Sequence, residues 1–442
     1  MKRISTLVVG IVVMALTAVH PSQTADKPGE AVASIRLAEA PEKIYSDDPN
    51  DSWNRIFYYL FSRRVRARLS SEFPEAAPFV KVSDIEFMHL AKSTRTFERN
   101  ETGDRAIDPL YPSFLVDDGI RVVLSDSAYA GFRRSLEDGL IETAVRSPIA
   151  RAMMQNDLWS AYDIIFRYRH YDQQGERRFA QRRVDVLNLL GLWIQKIALT
   201  PEEIRTLPDN YEIARTEYVL PDLFGTAGWV EVKWYPDRLH DISVDFRRVT
   251  RVFLKPARRP KDMQEFLNDF RADTNPVTER LEGVALIIQP LLVNTHGQVE
   301  SANIVIDLQI RMFQKARRGT AEKTEIGVYE VSRRLLRETA SGFLAQEGED
   351  APAYFPAAGN DYSYASPNVM NRGVPFVVKQ KTRCAMCHGE DITGLMTFAM
   401  IVPSNEPPVR RLDPTGHEAA KFVMSKKMER DDWKSLVKYF HK

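Results

Sequence analysis

Cysteine is almost missing from this chain: there are two in 442 residues, too few for a disulfide framework or a four-cysteine zinc cluster. An excess of charge of one sign is missing as well. The 61 basic side chains stand against 60 acidic ones, a net charge of +1, which argues against a nucleic-acid binder. No glycine-rich phosphate loop and no nucleophile elbow occurs. His89, His170, His240 and His296 are isolated, with no His-x-x-x-His or Glu-x-x-His pairing, so each reads as a surface or hydrogen-bonded histidine rather than a metal ligand. No repeat of fixed period is present. What remains is ordinary for a globular protein, 44% hydrophobic and 27% charged, and long enough for two or three domains.

The N-terminus carries its own signal. Lys2 and Arg3 precede an uncharged, mostly apolar run from Ile4 to Val19 that ends near Pro21, the pattern of a secretory signal peptide over residues 1–25. The run is shorter than the ~20 residues a membrane span needs, so export with cleavage is expected and no transmembrane span afterwards. An uncleaved N-terminal anchor is the alternative, because Gln23-Thr24-Ala25 is an imperfect cleavage site. Residues 26–50, with Pro28, Pro41 and Pro49, read as a linker or extended arm.

The two cysteines stand in one motif, Cys384-Ala385-Met386-Cys387-His388. Two thiols one helical turn apart add to the two vinyl groups of one porphyrin, and the adjacent imidazole lies beneath the iron. Three rival chemistries are weaker. Zinc needs more ligands, a thioredoxin-like redox pair needs a preceding buried strand where Lys379-Gln380-Lys381-Thr382-Arg383 stands, and a disulfide across three residues closes too small a loop to stabilise much. In this motif the sequence resembles the c-type cytochromes. The resemblance implies one covalently attached haem c on Cys384 and Cys387 with His388 as proximal metal ligand, and maturation outside the cytoplasmic membrane, in the periplasm or another extracytoplasmic space.

The tail is also similar to that family. Lys426 to Trp433, with Leu436, Tyr439 and Phe440, looks like the C-terminal helix of class I cytochromes c, with Asp431 and Asp432 in its first turn and Trp433, Leu436 and Phe440 along one face. The second axial ligand then decides between electron transfer and ligand chemistry. Met424 is the expected distal ligand, since it follows the proline-rich stretch Val402 to Pro414, and His417 is the runner-up. Lys379, Lys381, Arg383, Lys421, Lys426 and Lys427 would form a positive rim for an acidic redox partner, although Glu390, Asp391, Glu429, Asp431 and Asp432 offset it.

Between signal and motif the pattern implies an α+β fold, with residues 51–372 as one domain of unassigned function and 373–442 as a small α-helical, cytochrome c-like haem segment. Residues 51–225 read as helical. Trp53, Ile56, Phe57, Leu60 and Phe61 form an amphipathic stripe, which Arg63, Arg64, Arg66 and Arg68 continue as a solvated helix end. Further helices are expected at Ser127–Arg146, Ser147–Tyr168, Glu176–Leu199 and after the Thr200-Pro201-Glu202-Glu203 capping box.

Residues 226–345 read as β-rich, with antiparallel hairpins. Alternation marks Gly228–Tyr235, Ile242–Phe246 and Ile304–Met312, and Leu286–Val293 is a dense apolar run before the turn Asn294-Thr295-His296-Gly297. Helices at Asp262–Phe270 and Val328–Leu344, a loop over 346–372 and a short strand at Val374–Val378 complete the expectation. The function implied is an exported cytochrome passing single electrons to or from a redox partner protein, an electron carrier more than an enzyme. The alternatives are an oxidoreductase whose N-terminal domain binds substrate and feeds the haem, and a haem-based sensor or scaffold.

Overall fold

The helices expected in the first half are present, although the one expected to reach Arg146 ends at Ile141. The computed structural model describes residues 36–37, 40–41, 43–69, 86–89, 105–106, 123–142, 146–167, 177–225, 228–232, 246–258, 281–314, 323–331, 344–347, 352–355, 376–379 and 417–441. Helix α1 (Ser52–Phe61) buries Trp53, Ile56, Phe57, Leu60 and Phe61, the five residues of its stripe. It is followed by α2 (Asp126–Ile141), α3 (Pro148–Arg167) and α4 (Arg177–Lys196). Two short helices come next, α5 (Pro201–Arg205) and α6 (Asn210–Glu217). The Thr200 hydroxyl accepts from the Glu203 amide and the Glu203 carboxylate accepts from the Thr200 amide, so the expected capping box closes.

The basic run after α1 is not a helix end. Residues 62–69 form strand β2 (Ser62–Leu69), because Val65, Ala67 and Leu69 alternate with Arg64, Arg66 and Arg68 at period two. β2 pairs antiparallel with β1 (Arg36–Leu37), β3 (Glu86–His89) and β4 (Arg105–Ala106), so residues 51–225 are not purely helical. The same sheet recruits distant chain: β12 (Pro352–Phe355) pairs antiparallel with β13 (Phe376–Lys379), and β13 runs parallel to β2 through Phe376 opposite Arg68 and Val377 opposite Leu69. β12 thus interrupts the loop expected over 346–372, whereas β13 matches the strand expected before the motif.

The second sheet is a seven-stranded antiparallel one built on β7 (Leu281–Val293). β6 (Arg248–Pro256) flanks β7 on one side and carries β5 (Val230–Val232) beyond it. β9 (Asp307–Gln314) flanks the other side, followed by β10 (Lys323–Val331) and β11 (Leu344–Glu347). Pro290 sits inside β7 without an N–H to give. There the strand changes partners: β9 pairs up to Ile288, and β8 (Val299–Ser301) pairs with Leu291 to Val293 after the Asn294–Gly297 turn. Strands β10 and β11 replace the helix expected at Val328–Leu344 at both of its ends, since Thr324, Ile326 and Val328 alternate with Glu325 and Gly327. The alternation at Ile242–Phe246 lies outside the described residues except Phe246, which takes a positive φ of 49° before β6 begins. The helix expected at Asp262–Phe270 also lies outside them.

Two C-terminal helices, α7 (His417–Glu429) and α8 (Asp431–Leu436), are separated by Arg430, and a 3₁₀ turn (Val437–Tyr439) follows. One apolar core links the helices to the seven-stranded sheet. Trp53 meets Trp193 edge-on at 5.8 Å, and Trp159 of α3 meets Trp433 of α8 at 5.7 Å. The molecule is therefore a mixed α+β structure. Among the described residues no helix is long and apolar enough to cross a membrane.

Candidate functional site

Cys384, Cys387 and His388 lie outside the described residues, as do residues 1–35. The described chain stops at Lys379 of β13 and resumes at His417, the first residue of α7. Met424 is on α7, half-buried and packed against the core. Met428, one turn further on, is 51% exposed. Of the residues expected on a positive rim, Lys426 is at the surface and pairs with Glu429 at 3.1 Å. Lys427 is not at the surface at all.

Lys427 is the centre of a buried ionic nest. Its Nζ, with a side chain 0% exposed, lies 2.6 Å from Asp163 Oδ2 on α3 and 3.0 Å from Asp432 Oδ1 on α8. Arg247 Nε, just before β6, lies 3.0 Å from the same Asp163 oxygen, and Arg430 Nε reaches Asp432 Oδ2 at 3.1 Å. The Lys427 ammonium also sits 5.3 Å from the Trp159 ring centroid. Burying one ammonium or carboxylate alone would be prohibitive, and mutual pairing with added hydrogen bonds makes the cluster tolerable. Further bonds surround it: Tyr162 donates to the Ser435 hydroxyl at 3.0 Å, and Tyr439 to Asn188 Oδ1 at 2.6 Å. Burial raises the pKa of the Tyr162 phenol, so it stays protonated.

No local pattern around Lys427 marks this cluster, yet α3 carries a signal. Gln155, Asn156, Asp157, Ser160 and Asp163 are buried among Leu158, Trp159, Tyr162 and Ile165, so this helix has no solvated polar face. A polar group on a helix that is apolar all round needs a partner. Gln155 finds one at the end of β7, where its Nε2 donates to the Val293 carbonyl at 2.8 Å and its Oε1 accepts from the Val293 amide at 2.8 Å. Asn210 of α6 pairs with Val305 in the same two-way manner, at 2.8 and 2.7 Å. Tyr45 donates to Asp157 Oδ2 at 2.6 Å.

A second feature is a cleft of about 480 Å³ between the end of α2 and α4, with Trp53 and Trp193 among its walls. Its volume is in the range of small-molecule sites. The cations that line it are already engaged. Lys196 Nζ caps the end of α2, donating to the carbonyls of Gly139 at 2.9 Å and Leu140 at 2.7 Å, and partial burial lowers its pKa. Arg146 bonds Asp51 and Glu142 and lies 5.4 Å from the Trp53 ring centroid. Arg151 pairs with Glu203 at 2.8 Å. Among the described residues no group of three or more His, Cys, Asp or Glu is placed to hold a metal ion. No known protein family, curated protein or solved structure matches this chain.

Proposed function

We propose that this protein is an exported monohaem c-type cytochrome that passes single electrons to or from a redox partner. The observation that carries the reading is the donor set: the two cysteines of the chain are spaced for one porphyrin, and His388 follows the second directly. Zinc or disulfide chemistry would leave His388 or the ligand count unexplained. The apolar N-terminal run with Lys2 and Arg3 ahead of it supports export, in keeping with the extracytoplasmic haem attachment that the resemblance to c-type cytochromes implies. When bound, the haem supplies a one-electron couple at the iron.

In this reading Cys384 and Cys387 would hold the haem covalently and His388 would ligate its iron, with Met424 as the proposed second protein ligand and His417 its competitor, a thioether favouring a higher potential than a second imidazole. The test is expression with a haem-maturation system, followed by intact mass and a denatured pyridine haemochrome spectrum. One haem per chain with a two-thioether spectrum is expected; an apo mass or a colourless product ends the proposal. Met424→Ala is expected to abolish the long-wavelength methionine–iron charge-transfer band, and an unchanged spectrum removes Met424.

The Trp-walled cleft favours one second reading, an oxidoreductase whose body binds a substrate and delivers its electron to the haem. A small molecule that reduces the matured protein catalytically, and does so less well in Trp53→Ala, would establish it.

A further inference from the structure

We infer that residues 417–441 are a clasp: they belong to the α+β body, fold there without haem, and fasten the C-terminal side of the haem-bearing stretch to that body through Lys427. The clasp itself does not need the haem proposal; only its bearing on the haem rests on that reading.

A helix that belonged to a separate haem module would spend its polar and aromatic groups inside that module. These residues spend theirs elsewhere. Lys427 reaches Asp163 of α3, 264 positions earlier in the chain. Trp433 packs on Trp159, Ser435 accepts from Tyr162, and Tyr439 donates to Asn188 of α4. Ala420, Val423 and Leu436 are buried in the common core. Phe440 lies against the turn after β7 so closely that a Cβ on Gly297 would come within 2.8 Å of its own Cβ. Gly297 also has a φ of +72°, so glycine is required there twice over.

The nest gives the clasp a register. An ammonium with 0% exposure is tolerable only when carboxylates face it, so α7 docks in one position or leaves Lys427 without Asp163 and Asp432 in an apolar setting. The other side of the haem-bearing stretch is fastened too, because β13 joins β12 and β2. In the chain, β13 ends nine positions before His388 (388 − 379), and α7 begins at His417 on its far side.

Hydrogen exchange with mass spectrometry on the full-length protein tests the clasp, run on the matured chain and on the haem-free double variant Cys384→Ala/Cys387→Ala. In both, amides of 417–441 are expected to be protected to within about tenfold of those in α3, the behaviour of one cooperative unit. Protection in the terminal segment that appears only with haem, or that falls about a hundredfold or more below α3 in both proteins, overturns the clasp. Lys427→Met is expected to raise exchange in 417–441 by at least about tenfold, with Lys427→Arg closer to the parent, and unchanged exchange there also overturns it. An apo mass for the matured chain, with protection of 417–441 intact in both proteins, sinks the haem reading and leaves the clasp standing.

Discussion

Two buried ionic clusters in this protein use the same chemistry for different distances. In the seven-stranded sheet, Arg251 of β6 grips Glu231 of β5 with two bonds, Nε to Oε1 at 3.1 Å and Nη2 to Oε2 at 2.8 Å, both side chains 1% exposed. Arg251 also reaches Gln289 of β7 at 3.3 Å and lies against the rings of Phe224 and Phe253. Its partners stand 20 and 38 positions away, on neighbouring strands. The Lys427 nest joins groups 264 positions apart. The planar guanidinium fits a fixed two-point contact between adjacent strands, whereas the point charge of an ammonium is shared between carboxylates that arrive on separate helices. One pair sets the register of local strands; the other sets where an end of the chain returns.

The largest effect that sharpens this contrast is expected from Lys427→Met. It strands Asp163 and Asp432 beside Arg247 and Arg430 without their shared cation, and should cost about 3–5 kcal/mol in urea unfolding. A loss under about 1 kcal/mol would mean that the nest bears little of the docking. Arg251→Met should cost about 3 kcal/mol by removing the guanidinium that neutralises the buried Glu231, yet the pair Arg251→Met/Glu231→Leu should recover most of it, because a local ion pair is replaceable by apolar packing. If that double variant were as weak as the single one, the pair in the sheet would be no simpler than the nest.

Gln155→Leu should cost about 1–3 kcal/mol, since both polar groups of Val293 lose their partner. Stability unchanged within about 0.5 kcal/mol would show that water replaces the amide. Tyr439→Phe removes the hydrogen bond to Asn188 near the surface and should cost about 0.5–1.5 kcal/mol. The last effect is nil at neutral pH. Burial raises the pKa of Tyr162 and Tyr211 above the ordinary 10.0, so the folded state holds both protons after the unfolded chain has lost them. Stability is therefore unaffected below pH 10.0 and falls as pH climbs past it. A denaturation midpoint that stays flat there would contradict the burial of both phenols.

The sequence revealed the parts of the fold in which one period ran without competition. Helices α2 to α5 stand where helices were expected, with Pro148 and the Thr200–Glu203 box as punctuation, and β7 with its turn followed from a dense apolar run before Asn294–Gly297. Where two periods overlapped, the helix was chosen wrongly. Arg63 to Arg68 extends the stripe of α1 in composition, but its small apolar residues alternate, and sheet partners far along the chain decided the matter. β12 has only four residues and gains its order from β13. The motif Cys384-x-x-Cys387-His388 was legible because its chemistry is local. The nest was not, because nothing near Lys427 in the sequence points to Asp163.

That separation sets a schedule for the newborn protein. Asp163 is made early and meets Arg247 first, while its second cation, Lys427, leaves the ribosome 264 residues after it, an interval on the order of tens of seconds at ordinary elongation rates. Until then α3 carries an acidic group meant for the interior with its lysine still unsynthesised. The body can consequently finish maturing only after synthesis has delivered Lys427.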